Sequence, residues 1–424
     1  MPRLQCTINS RHPTLGNTTR LRSATARPLR TLALCLAFIT RAPQAVGQIV
    51  PDPDAPTVAS ASRVRLTIGG VLQADGRLVV GDDAASGPLL RRARLILDAT
   101  GEGGFRLRLV PDFGQGRVLI QDALIGWRGS ETDLRIGRFR PTFGGERTRS
   151  SSTLLFPERG LINTLMPPRA TGAQATFGNS KRALVIGAFR TALGADAQTV
   201  DTDGDLTLAP APTQEALLRV QGALGTLDGG RGTLWHLSLL AGQARGLRTD
   251  GTGPARLLTP GQRALFAYAT SGPDPVVADG RRGRAAAGLE HVARRDAWHV
   301  EVIAAEDGVR RVATGHAALV HGGASAAWSR VWRGVRAADY VVTPSHARGA
   351  IEAGGRLGAA WVDPDALRRF GAAGASGRGL STGAALSWLP TTATRLTVGY
   401  DLTREDRGAQ RTEHAIVLRV QQGF

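Results

Sequence analysis

The charge in this chain alternates, and that pattern restricts the fold more than any other feature. In RRARLILDA (91–99), Ala93, Leu95, Leu97 and Ala99 fall on one side of an extended chain, and Arg92, Arg94, Ile96 and Asp98 on the other. In GFRLRLV (104–110), Phe105, Leu107 and Leu109 oppose Arg106, Arg108 and Val110. Thr397, Gly399 and Asp401 oppose Val398, Tyr400 and Leu402. His414, Ile416, Leu418 and Val420 oppose Ala415, Val417, Arg419 and Gln421. Side chains that alternate with period two belong to β-strands. Similar runs recur near 117–128, 172–178, 182–190, 215–223, 234–242, 286–294, 298–304, 324–333, 349–362 and 380–389. No 3.6-residue period competes over this length.

Repeated strands with one aliphatic face and one arginine face predict an all-β fold, a transmembrane antiparallel β-barrel over 63–424. The apolar face meets lipid and the charged face meets water. An arginine on the lipid face at the midplane would cost about 2–4 kcal/mol. The chain ends in Phe424 after an alternating strand, and a terminal aromatic there is a recognition signal of outer-membrane barrels. Residues beyond 47 number 424 − 47 = 377. At roughly 24 residues per strand and connection they make about 16 strands, wide enough for an aqueous channel. Only three tyrosines are present to form aromatic girdles. Trp127, Trp235, Trp298, Trp328, Trp332, Trp361 and Trp388 must supply most of them.

One connection is unlike the others. In LRIGRFRPTFGGERTRSSSTLLFPERGLINTLMPPR (134–169), Leu134, Ile136 and Arg138 alternate with Arg135, Gly137 and Phe139, and Pro141 ends the strand. The segment that follows is too long and too basic for a hairpin turn. Long loops within compact folds are usually functional. This one is expected to fold inward as a constriction, with Arg138, Arg140, Arg147 and Arg149 on the path. Arg92, Arg94, Arg106 and Arg108 are expected to line the lumen. Arg91, beside Arg92, must point the other way if both are mid-strand, or sit at a strand end.

The net charge is +18, and Lys181 is the one lysine, leaving 53 − 1 = 52 arginines. A GC-rich genome accounts for arginine over lysine, but not for the net charge. That charge calls for an anionic partner. Its spread along alternating positions favours a lining over a nucleic-acid patch, and the aromatics are too sparse for a stacking surface. Cys6 and Cys35 both precede residue 40, so the main body has no disulfide framework and no thiolate metal site.

Residues 1–47 read as a presequence. Arg27 and Arg30 form a basic region, Leu32 to Ile39 an apolar run, and Ala45-Val46-Gly47 a small-x-small cleavage site. Residues 1–26 read as an over-extended gene start. Pro51, Pro53 and Pro56 mark 48–62 as a flexible lead-in. The DTDGD stretch (201–205) lacks the downstream bidentate Glu of a calcium loop and reads as a polar external loop. No HExxH or GxGxxG occurs. No cofactor and no metal is expected, and no nucleophile–base set marks an enzyme.

An ordered set of segments resembles the phosphate-selective porins O and P of Gram-negative outer membranes. They include IGGVLQADGR (68–77), LLRRARLIL (89–97), LRLVPDFG (107–114), IQDALIGW (120–127), LRIGRFRPTFGGERTRSSS (134–152) and LLFPERGL (154–161). DTDGD, GAIEAGGRLGAAWVD (349–363), GLSTGAALSWLPTTATRLTVGYDL (379–402) and the closing LRVQQGF follow. The resemblance implies a trimeric 16-stranded barrel whose third external loop narrows the pore and passes phosphate or related anions along arginines. Arg147 stands at a basic position of that loop, Arg91 and Arg92 at an RR pair, and Asp112 at an acidic position facing the constriction. Ser152 departs from a second basic position, which puts phosphate preference in question. The expected partners are small anions, outer-membrane lipid and two further copies of the chain, and no nucleic acid. The alternatives are an outer-membrane barrel without phosphate preference, a barrel enzyme, and a soluble basic β-protein.

Overall fold

The computed structural model describes residues 57–61, 64–80, 86–116, 118–191, 213–245, 256–407 and 411–424. Sixteen long strands follow one another in chain order. They are β1 (Val64–Val80), β2 (Gly87–Gly101), β3 (Phe105–Asp112), β4 (Leu119–Arg128), β5 (Thr132–Phe139) and β6 (Ala170–Gly178). Next come β7 (Arg182–Thr191), β8 (Thr213–Asp228), β9 (Arg231–Arg245), β10 (Val277–Val292) and β11 (Asp296–Arg311). The last are β12 (Gly315–Trp332), β13 (Ala350–Trp361), β14 (Arg378–Leu389), β15 (Thr394–Glu405) and β16 (Thr412–Gly423).

Each strand pairs antiparallel with the next, and β16 pairs with β1 from Val71↔Gly423 to Val80↔His414. The sheet is therefore a closed 16-stranded antiparallel barrel with no free edge. The strand Thr57–Ala61 adds a short hairpin to the start of β1, so this part of the lead-in is paired rather than free. The presequence and the DTDGD loop lie outside the described residues.

The two faces follow the alternation. Leu72, Leu78, Leu107, Ile125, Ile136, Ile186, Leu237, Val302, Leu386 and Leu418 are exposed on the outside. Gln73, Asp75, Arg92, Arg219, Glu301, Arg356 and Arg419 are buried inside. Six tryptophans (Trp127, Trp235, Trp298, Trp328, Trp332 and Trp388) stand on the outer face near the short-turn end of their strands. Only Trp361 lies at the loop end. The girdle is thus strong at one membrane boundary and sparse at the other.

The interior is not empty. Phe143, Leu161, Ile162, Leu165 and Met166 of the 140–169 connection pack with Leu257, Leu265, Phe266 and Tyr268, and with Phe370. This cluster fills the half of the lumen lined by β5 to β12 through Val185, Phe189, Leu217, Leu240, Ile303 and Leu319. Burying side chains of this size contributes about 1.5–3 kcal/mol each. Smaller apolar clusters, Leu155 and Phe156 with Ala385, and Val331 and Val342 with Ala350 and Leu389, lie toward β13 and β14.

The closing seam between β1 and β16 ends at the last residue. Gly70 and Phe424 exchange two main-chain hydrogen bonds, N–H of Gly70 to O of Phe424 at 2.9 Å and the reverse at 3.2 Å. A Cβ on Gly70 would collide with the Phe424 ring and approach the Arg94 carbonyl at 2.8 Å. Gly70→Ile is therefore expected to destabilise closure by about 1–3 kcal/mol. The check is the heat-modifiable gel shift of the folded barrel, whose melting temperature should fall; an unchanged midpoint would show that the last strand tolerates the bulk.

Candidate anion-binding constriction

The 140–169 connection folds into the lumen, as its length and composition predict. Irregular backbone at this depth has few main-chain partners, and each carbonyl left alone is costly. Arginines supply the missing donors. From the wall, Arg219 donates to the Gly144 carbonyl at 2.7 Å, Arg284 to Leu165 at 2.8 Å, Arg356 to Glu158 at 2.6 Å and Arg395 to Leu154 at 2.9 Å. Arg419 donates to the Pro157 carbonyl. Gln421 donates to Ser152 at 3.0 Å and Gln73 to Ser151 at 3.3 Å. Within the loop, Arg140 donates to Arg147 and Arg149, and Arg159 to Glu146 and Arg149.

The loop tip is held by a carboxylate. Glu301 on β11, 1% exposed, accepts from the Gly145 N–H at 2.6 Å and the Glu146 N–H at 3.4 Å. His236 lies 3.2 Å away. Gly144 makes this approach possible: its φ is +73°, and a Cβ there would lie 2.8 Å from Glu301 Oε1.

Arg92, Arg94, Arg106 and Arg108 face inward, and all but Arg92 pair with a carboxylate. Arg94 pairs with Asp112 at 2.7 Å, Arg106 with Asp133 at 2.5 Å and Arg108 with Asp98 at 2.8 Å. Asp112 also accepts from the Ala93 and Gly114 N–H groups at 3.1 Å. It reaches the loop through Arg94, which donates to Ser151 Oγ at 3.0 Å. Arg149 is engaged on the far wall, with Glu290 at 2.9 Å, His299 at 3.2 Å and the Tyr340 ring at 4.0 Å. Tyr340 comes from the long turn 333–349, holds φ +72° and donates to Glu290.

Two expectations change. Arg138 shares the outer face of β5 with Leu134 and Ile136, and donates from Nε to the Ile120 carbonyl at 3.0 Å. It is not on the lumen side, because the strand keeps its alternation to its end. Arg91 and Arg92 both turn inward although both are mid-strand. The register shifts between Gln73↔Arg92 and Ala74↔Leu90, so a bulge at Arg91 resets the alternation. Arg91 then pairs with Glu158 at 2.6 Å, while Arg92 donates only to the Gln73 amide.

Arg92, Arg140, Arg147 and Arg159 are among the described lumen arginines without an ion pair; Arg77 and Arg219 are others, and they donate to the Gly261 and Gly144 carbonyls. Arg140, Arg147 and Arg159 lie close enough to repel one another and Arg169. Burial first, and then Arg159 and Arg169, bring the Arg147 pKa down to about 9, still cationic at neutral pH. An anion seated among them would relieve that repulsion. Arg94, Arg140, Arg147, Arg159 and Arg169 face Asp112, Asp122 and Glu146, a local excess of 5 − 3 = +2. Arg159, Arg169 and the five wall arginines had no distinguishing signal in the sequence. Alternation reports which way a side chain points, not what it touches.

Breaking the wall contacts should loosen the loop. Arg356 binds Asp401 through two bonds of 2.8 and 2.7 Å, and its loss leaves a buried carboxylate and a loop carbonyl unpaired. Arg356→Ala is expected to cost about 3–5 kcal/mol, read as a lower thermal midpoint and a larger, noisier single-channel conductance. A quiet channel of unchanged size would remove Arg356 from this role.

Burial raises the pKa of Glu158, but Arg91, Arg92 and Arg419 outweigh it and hold the carboxyl well below the usual range. A depressed carboxylate stabilises above its unfolded pKa of about 4.3, and that stability is lost as pH falls toward the folded value. The melting-temperature difference between the wild type and Glu158→Gln should therefore stay constant from about pH 7 to 5 and shrink below about pH 4. A difference already shrinking at pH 6 would contradict the pairing.

The model of the phosphate-selective porin O and P family matches residues 67–227. Among solved structures, the outer-membrane channel DcaP of Acinetobacter baumannii is similar at 13% identity, covering 87% of this chain and 99% of its own, with a TM-score of 0.55. An anion-selective porin from Comamonas acidovorans covers 85% and 100% at 11% identity and a TM-score of 0.53. OmpT of Vibrio cholerae, in trimer form, covers 85% and 99% at 11% identity and a TM-score of 0.50. At these identities the likeness establishes the fold. No curated protein sequence matches. The chain is a closed 16-stranded antiparallel barrel with the fold of outer-membrane porins, and the model of the phosphate-selective porin O and P family matches its residues 67–227.

Proposed function

We propose that the barrel is an anion-selective channel, and that phosphate or related anions pass beside the inward loop. The observation that carries this reading is the group of guanidinium ions without carboxylate partners, Arg92, Arg140, Arg147 and Arg159, next to Arg94 and Arg169. Guanidinium offers phosphate a planar fork of donors and keeps its charge. One unit-charge pair at 4 Å is worth about 4 kcal/mol at an effective dielectric of 20. A site of several such pairs would trap the ion, and conduction needs weaker sites in series. The carboxylates on Arg94, Arg106 and Arg108 reduce the pull of each rung in that way. The family match and the fold shared with an anion-selective porin support the same reading. The chain then works in the outer membrane after removal of its presequence, as a homotrimer.

The same carboxylates favour a second reading, a general anion pore without phosphate preference. Ser152, whose hydroxyl bonds Ser150 rather than offering a charge, points the same way.

Planar-bilayer recording separates these. The wild type should be anion-selective, with chloride current blocked by added phosphate; chloride current insensitive to phosphate selects the general pore. Arg92→Gln keeps a donor toward Gln73 and removes one uncompensated charge. It should lower the anion-to-cation permeability ratio by about twofold or more. A cation-selective wild type would overturn the proposal.

A further inference from the structure

We infer that the outer face of β5 to β10 carries, at its loop end, a binding surface for phosphorylated lipid headgroups. The observation is a continuous row of register partners across six strands: Arg138↔Thr171, Thr171↔Arg190, Arg190↔Gln214, Gln214↔Gln243 and Gln243↔Arg281. Thr171, Arg190, Gln214, Gln243 and Arg281 are exposed and Arg138 is half-buried. All six follow the outward parity of their strands. The row holds three arginines, three neutral hydrogen-bonding side chains and no carboxylate. Arg281 is 83% exposed, and its nearest acid, Glu306, is 3.9 Å away.

The height of the row identifies its surroundings. On β7 the outward residues run Arg182, Leu184, Ile186, Ala188, Arg190, so only three apolar positions separate the two arginines. Eight residues span about 26 Å of strand, and about 20 Å of height at a tilt near 40°. That is shorter than the apolar band of about 25 Å expected of such barrels. On β1 the outward positions Leu72, Ala74, Gly76, Leu78 and Val80 carry no polar residue at all. The row therefore lies at the lower edge of the headgroup layer, and no outward aromatic marks that boundary on β5 to β10.

Hydrocarbon offers an exposed guanidinium group such as that of Arg190 no acceptor, whereas phosphate pairs guanidinium bidentately; Arg138 already donates to the Ile120 carbonyl and Arg281 lies beside Glu306. Neighbouring strands are about 4.8 Å apart. Arg138 and Arg190 are then about 10 Å apart, and Arg190 and Arg281 about 14 Å. A headgroup with more than one phosphate can bridge two of them. The excess of cations over acids in the row, at the height of the headgroup layer, argues for lipid. The inference depends on the outer-membrane placement of the barrel but not on what the channel conducts.

The test uses the full-length protein and Arg138→Gln/Arg190→Gln/Arg281→Gln in phosphatidylcholine nanodiscs, with and without diphosphorylated lipid A. The readouts are lipid retained in native mass spectrometry and the thermal midpoint. The wild type should retain the diphosphorylated lipid and melt higher with it. The triple variant should retain at least about fivefold less, with its reversal potential unchanged. Arg190→Gln alone, on an exposed site, should give a partial loss and covers the case of a triple variant that does not fold. Equal retention by the wild type and Arg190→Gln overturns the inference. So does a variant that keeps its lipid but falls to a smaller oligomer, which would make the face a contact between copies. A change in selectivity without loss of lipid would count against the outward placement of the row.

Discussion

A guanidinium group donating to a main-chain carbonyl is the interaction on which this interior depends. A barrel wall satisfies its own backbone, but an irregular loop placed inside it does not. Arg219, Arg284, Arg356, Arg395 and Arg419 come from five strands around the wall and reach carbonyls from Gly144 to Leu165. Glu301 does the converse for two N–H groups at the tip. The loop is suspended by polar contacts on one side and packed into an apolar cluster on the other.

This divides the arginines by task. Some fix the loop, some are neutralised by an aspartate on a neighbouring strand, and a few remain electrostatically open beside Arg147. The excess of positive charge in the sequence is thus much larger than the charge presented to a passing ion. Under the proposed function, a lumen of paired rungs and a few unpaired guanidinium groups would attract anions without holding them.

Much of the architecture was legible in the sequence. Alternation identified the strands and sorted Arg92, Arg94, Arg106 and Arg108 to the inside and Leu95, Leu107 and Leu418 to the outside. The length and composition after Phe139 identified the inward loop. Partners were not legible, because a face does not name its contacts. Asp133 and Asp98 gave no sign that they would neutralise Arg106 and Arg108. Arg138 looked like part of the loop's charge yet belongs to the outer face by strict parity. The bulge at Arg91 breaks parity in the middle of a strand, and nothing in RRARLILDA marks where the register slips.

The pairing of Gly70 with Phe424 also has a kinetic meaning. The outermost contact of the seam that completes the ring joins positions 424 − 70 = 354 residues apart. Such a contact is slow to form, because loop-closure entropy is lost before it rewards the chain. Until it forms, β1 and β16 both present open edges able to pair with other chains. Assembly of this barrel therefore passes through an aggregation-prone stage that ends when β16 pairs with β1.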